Sequence, residues 1–126
     1  MTTVLDASAL LAYLKGEPGA DSVEPAIGES VISSINWSEV VQKVLVEEVD
    51  VVTMTASLVA AGLKIEPFTQ EDAERAARLW VQTKRYGLSL GDRACISLGS
   101  RLDATVLTSD RAWSSLDVDV EVQLVR

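Results

Sequence analysis

Four acidic residues stand where a chain could use them for chemistry. Asp6 directly follows the strand-like TVL at 3–5, and Asp110 follows TVLT within TVLTSDRAW. Glu39 lies four residues past SVISSI (30–35), on the first turn of the next helix. Asp92 heads LSLGDRACISLG (88–99), which reads as a helix apolar almost all round. That helix runs antiparallel to the strand it feeds, so its start lies at the edge of the sheet where the strands end. Four distant segments thus each deliver one carboxylate to one place, and in α/β folds ligands gather at that edge.

Each residue taken singly has a plain structural use. Asp is a favoured N-cap, and Asp6, Asp92 and Asp110 all stand at helix starts, while NWSE (36–39) has capping-box spacing. A cap contributes about 1 kcal/mol, and Ser or Asn would serve without charge. Four carboxylates about 5 Å apart would instead repel by roughly 3 kcal/mol per pair at an effective dielectric near 20. A divalent cation reverses that sign, so the set is better explained as a metal site. The chain has no histidine and one cysteine, Cys95. That excludes a Ser-His-Asp triad, histidine or multi-cysteine zinc sites and histidine-based ribonuclease chemistry. The ligands must be oxygen, which suits magnesium or manganese.

The elements that position these residues alternate. TVL is a strand, and ASALLAYLKG is a helix stopping near Gly16 and Pro18. Residues 20–28 form a second short helix, SVISSI a strand, and 36–48 and 50–62 two further helices. KIEPF is a strand. QEDAERAARLWVQTKRYG is an amphipathic helix with Ala73, Ala76, Ala77 and Trp80 inward. The helix from Asp92 leads to the strand TVLT, and EVQLV is the last strand. Such alternation predicts one three-layer α/β/α domain over residues 1–126, around a mainly parallel sheet of four to five strands. The helices at 36–62 carry more Val, Leu, Met and Ala than one core-facing stripe needs. Either both are deeply buried, or an apolar surface there meets a second copy or another protein.

At 126 residues, 48% hydrophobic and 24% charged, the composition is that of a soluble globular domain. No apolar run suits a membrane span. The start of the chain has no basic leading region and Asp6 interrupts its apolar run, so a cytoplasmic protein is expected. The net charge of −8 is unevenly spread. Residues 75–111 carry seven basic and three acidic side chains, a local balance of +4 that suits a polyanion.

VLDASALLAYL, SSINWSEV, LSLGDRACISLG and TVLTSDRAW, in this order and spacing, resemble the PIN domain, most closely the VapC-type toxins of bacterial toxin–antitoxin pairs. The resemblance covers essentially the whole chain. It implies a magnesium- or manganese-dependent endoribonuclease, usually dimeric and silenced by a cognate antitoxin. Asp6, Glu39, Asp92 and Asp110 match the acidic quartet, with Asp6, Asp92 and Glu39 as direct or water-mediated ligands and Asp110 binding a second ion or orienting water. Ser8 and Thr108 match hydroxyl positions that fix carboxylate rotamers, although Thr108 is equally an ordinary strand-end residue. The products expected are a 5′-phosphate and a 3′-hydroxyl.

Lys84, Arg85, Arg93 and Arg111 flank the acidic pocket and are candidate RNA contacts, and Tyr86 and Trp113 candidate stacking residues. For Lys84 and Arg85 a solvated helix end is an equal alternative, and for Trp113 core packing is favoured. Two rivals remain. A magnesium-dependent phosphohydrolase of the haloacid dehalogenase type also has an Asp after its first strand, but needs a second where Ser8 stands. A non-catalytic binding module would use the carboxylates only as caps. No Walker loop or GxGxxG occurs.

Overall fold

A computed structural model describes residues 1–126. Its five strands are β1 (Thr3–Leu5), β2 (Ser30–Ser33), β3 (Lys64–Glu66), β4 (Thr105–Thr108) and β5 (Val122–Leu124). They form one sheet in the order β3-β2-β1-β4-β5, every pair parallel. The helices are α1 (Ala7–Lys15), α2 (Ala20–Val23), α3 (Ser34–Val46), α4 (Val51–Ala61), α5 (Gln70–Thr83) and α6 (Leu90–Leu102).

The sheet divides the core because successive strand residues point to opposite faces. Leu5, Ile32 and Leu107 pack with Ala9, Leu10, Val40, Val44 and Leu58 of α1, α3 and α4. Val4, Val31 and Val106 pack instead with Cys95, Ile96 and Leu98 of α6 and with Trp113. The expected three layers are present. From β1 the chain winds through β2 to β3, then returns to the far side of β1. The strand order therefore reverses at β1, the place in open α/β sheets where ligands gather beyond the strands' carboxyl ends.

Local chemistry shifts several expected boundaries. Ser33 N-caps α3 through its bond from the Ile35 N–H, so β2 ends at Ser33 and the helix begins at Ser34 rather than Asn36. The NWSE capping box does not form: Asn36 lies inside the helix, buried. Ser89, not Asp92, caps α6, and Asp92 is the third helical residue. The short helix expected at 20–28 is α2 followed by a 3-10 segment, Glu24–Glu29, with Pro25 near its start. Gly62 closes α4 at φ 117°, where any Cβ would stand 2.4 Å from the Gly28 carbonyl oxygen. Only glycine meets both conditions.

The inner face of α5 differs from the apolar stripe. Ala76 is buried, but Ala73 and Ala77 are exposed and Trp80 is 49% exposed. The buried stripe is Asp72, Ala76 and Thr83, with Leu79 partly covered. Asp72 is drawn in by Arg101 of α6, whose Nε and Nη2 donate to its two carboxylate oxygens at 2.8 and 3.2 Å. An ion pair thus sets the rotation of a helix whose apolar residues suggested another. On α3 and α4 the apolar excess lies at the surface: Val46 and Val52 are each 81% exposed, and Leu45, Val59 and, between the helices, Val49 join them. No helix is long and apolar enough to cross a membrane.

Candidate functional site

Asp6 directly follows β1, the strand at which the order reverses, and it is buried and N-caps α1. Its Oδ1 accepts from the Ala9 N–H at 2.8 Å and from Ser8 Oγ at 2.7 Å. Its Oδ2 accepts from Thr108 Oγ1 at 2.5 Å. Ser8 in turn accepts from the Ser109 N–H at 3.0 Å, and Thr108 from the Asp110 N–H at 3.0 Å. The two hydroxyls therefore tie the ends of β1 and β4 together and hold the Asp6 carboxyl in one rotamer.

Despite these donors, burial raises the Asp6 carboxyl from its ordinary 3.8 to about 6, with the neighbouring Asp92 charge adding to the rise. The Cys95 thiol beneath is buried and pushed well up. Desolvation is the main cause, and the charges of Asp6, Asp92 and Glu39 act in the same direction. Asp6 follows β1 while Glu39 and Asp92 belong to α3 and α6, so charges from three segments act on one buried thiol.

Asn36 and Gly91 bring Glu39 there, and sequence reasoning read the first as a cap and passed over the second. Asn36 Nδ2 donates to Glu39 Oε1 and to the Gly91 carbonyl oxygen, both at 2.9 Å. It joins α3 to the first turn of α6 above the sheet. A Cβ at Gly91 would stand 2.6 Å from Glu39 Oε1. The signal available was a glycine in the first turn of a helix, where it is unfavourable by about 1 kcal/mol against alanine unless something approaches closely.

Asp92 uses Oδ2 to accept from the Ser89 N–H at 3.0 Å, completing a capping box. Asp110 is exposed at the rim and uses Oδ1 to accept from the Ala112 N–H at 3.0 Å. It caps the short 3-10 segment Arg111–Ser115. No three acidic side chains meet at metal-binding distance. The donor set nevertheless suits a hard cation. Glu39 Oε2, Asp92 Oδ1 and Asp110 Oδ2 accept no hydrogen bond from the protein, and Asn36 Oδ1 is buried without a partner.

The basic residues separate into two kinds. Arg93 Nη1 donates to the Ala76 carbonyl oxygen at 3.0 Å, which makes it a clamp between α6 and α5. Lys84, Arg85 and Arg111 are exposed. Lys84 lies over the Trp80 ring at 5.6 Å, and Arg85 over Tyr86 at 4.9 Å. Trp113 is buried in the core beside β4 and offers no free face, whereas Tyr86 is exposed.

The PIN domain family profile matches residues 3–119. No curated protein sequence matches the chain. Among solved structures, a toxin–antitoxin complex from Klebsiella pneumoniae is similar over 98% of both chains, with 20% identity and a TM-score of 0.78. DNA-bound VapBC from Salmonella typhimurium covers 100% of this chain and 99% of its own, at 12% identity and a TM-score of 0.75. FitAcB from Neisseria gonorrhoeae covers 95% of each chain, at 18% identity and a TM-score of 0.74. At these identities the likeness is one of fold.

Proposed function

The chain belongs to the PIN domain family, and we propose that it is a metal-dependent ribonuclease toxin held silent by a cognate antitoxin. The observation that carries this reading is Asp6: a buried carboxyl at the reversal of strand order, raised to about 6, with a second acidic side chain raising it further. Such an arrangement is unfavourable alone and favourable around a cation.

Asp6, Asp92 and Glu39 would hold a magnesium or manganese ion directly or through water, with Asp110 holding a second ion or orienting water. When bound, the ion supplies charge neutralisation for the phosphate oxygens and a more acidic water. The chain's own residues do the rest. Ser8 and Thr108 keep the Asp6 carboxylate aimed, and Asn36 keeps Glu39 against the start of α6. The exposed Lys84, Arg85 and Arg111 attract the RNA phosphates. Hydrolysis then leaves a 5′-phosphate and a 3′-hydroxyl.

An antitoxin is supported by the solved toxin–antitoxin structures of the same fold and by the exposed valines and leucine of α3 and α4. That surface suits an apolar helix or arm, and a basic side chain of the antitoxin reaching the acidic pocket would neutralise it. A homodimer in the cytoplasm completes the reading, as the family resemblance implies.

The rival binding module draws on a specific observation, since Asp6, Asp92 and Asp110 all accept helix-start N–H groups. The phosphohydrolase has no such support: Ser8, standing where that chemistry needs a second Asp, donates to Asp6. Cleavage of total RNA by the purified protein, in manganese and then in EDTA, beside Asp92→Asn, separates the readings. Discrete fragments carrying 5′-phosphates, lost with either the metal or Asp92, support the nuclease. Cleavage unaffected by EDTA and by Asp92→Asn, or 2′,3′-cyclic phosphate ends, would overturn it.

A further inference from the structure

Away from the acidic centre, a groove of about 680 Å³ runs along the outer side of α6, between α5 and the segment at 117–119. Its α5 wall carries Arg75 and Arg78, with Arg85 at the end nearer the start of α6. Neither Arg75 nor Arg78 makes a hydrogen bond. Their acidic neighbours Glu71, Asp72 and Glu74 stand 3.6–3.9 Å away. Two polar groups at the groove are buried without a hydrogen bond: Ser97 Oγ, wholly inaccessible, and Arg75 Nη1, which has only the Asp72 carboxylate at 3.9 Å. Native proteins pair nearly all such groups, so unpaired ones facing one groove point to something that binds there.

The two walls differ in charge. Opposite the arginines stand Asp117 and Asp119, the latter accepting from Ser100 Oγ at 3.1 Å. A simple anion would be repelled by them. A nucleotide unit matches both walls: its phosphate suits guanidinium forks, and the amino edge of its base donates to carboxylates. We propose that this groove binds one nucleotide unit through its phosphate, as part of the RNA strand that the acidic centre cuts. The strand assignment rests on the nuclease reading; the groove's own chemistry does not. Ser97 and Ser100 follow Asp92 on α6 by five and eight residues, about 7 and 12 Å along the axis. The groove thus lies within a short strand's reach of the acidic centre.

Anisotropy of a fluorescein-labelled six-nucleotide RNA, titrated in EDTA at several salt concentrations, reads binding without cleavage. The arginines are tested by Arg78→Glu, whose side chain is 75% exposed, and by the double variant Arg75→Gln/Arg78→Gln, each checked for an unchanged melt. The expected result is a Kd raised about tenfold or more, with the salt slope reduced by roughly 0.7 for each arginine removed. Adenosine monophosphate, followed at the Ser97 amide by NMR, separates the sources. A saturable, arginine-dependent shift with arginine-independent RNA binding supports the groove as a site for free nucleotides. If both variants bind RNA as wild type does and the mononucleotide produces no shift, the proposal falls, even if manganese-dependent cleavage stands. Arginine-dependent binding without any cleavage would sustain the groove and sink the nuclease.

Discussion

Replacing Asp6 by Asn tests the electrostatics of the site without relying on activity. In the folded chain the carboxyl ionises near 6, against 3.8 ordinarily. Below pH 3.8 both states are protonated and the group is neutral to stability. Between 3.8 and 6 the unfolded chain loses its proton while the folded chain keeps it, so stability falls as pH rises. Above 6 the full penalty is present, and a shift of about two pH units corresponds to roughly 3 kcal/mol. Asn removes the charge but still caps α1, and its amide offers Thr108 Oγ1 a donor in place of an acceptor. Asp6→Asn should therefore raise the melting temperature in EDTA at pH 7.5 by roughly 10 °C. The gain should shrink steadily as the pH falls from 6 towards 4. Thermal denaturation of both proteins across pH 4–8 measures this. Millimolar manganese adds a second arm, stabilising the wild type and leaving the variant unchanged. A variant less stable than wild type by the same amount at every pH would refute the reasoning, because Asp6 would then act through its hydrogen bonds alone.

Three further outcomes follow from particular contacts. Gly91→Ala should keep its melting temperature within a few degrees, since only the mobile end of Glu39 blocks the Cβ, while manganese-dependent cleavage falls about tenfold or more; unchanged cleavage would remove Glu39 from the centre. Arg101→Met removes both guanidinium bonds to the buried Asp72 carboxylate, leaving it the Thr69 N–H and the Arg75 guanidinium at 3.9 Å, and should lower stability by about 2–3 kcal/mol in urea unfolding, whereas a loss below 1 kcal/mol would show the pair to be incidental. Val46→Glu with Val52→Glu should leave cleavage intact, because both side chains are exposed, yet abolish inhibition by an antitoxin in a co-expression assay; undiminished inhibition would place the antitoxin elsewhere.

The type and order of nearly every element were legible from periodicity and punctuation, because strands of three or four apolar residues alternate with helices that glycines and capping side chains delimit. The expectation that Asp6, Glu39, Asp92 and Asp110 share an edge came from the same alternation: in a parallel sheet the residues after each strand lie at one edge, and a helix that feeds a strand starts there. What the sequence could not show was any feature in which one element answers another. Asn36 looked like a cap until the start of α6 was seen to lie beside it, and Gly91 had no evident reason until the Glu39 carboxylate stood where its Cβ would be. The inner face of α5 followed Asp72 rather than the alanines because Arg101, 29 residues away, supplied a partner for a buried charge. Nothing around Arg93 in the sequence announced its bond to the Ala76 carbonyl of α5. Local pattern, then, determined the elements and their order. Tertiary structure alone decided which polar groups are paired across elements, because a hydrogen bond or ion pair between distant residues leaves no periodic trace along the chain.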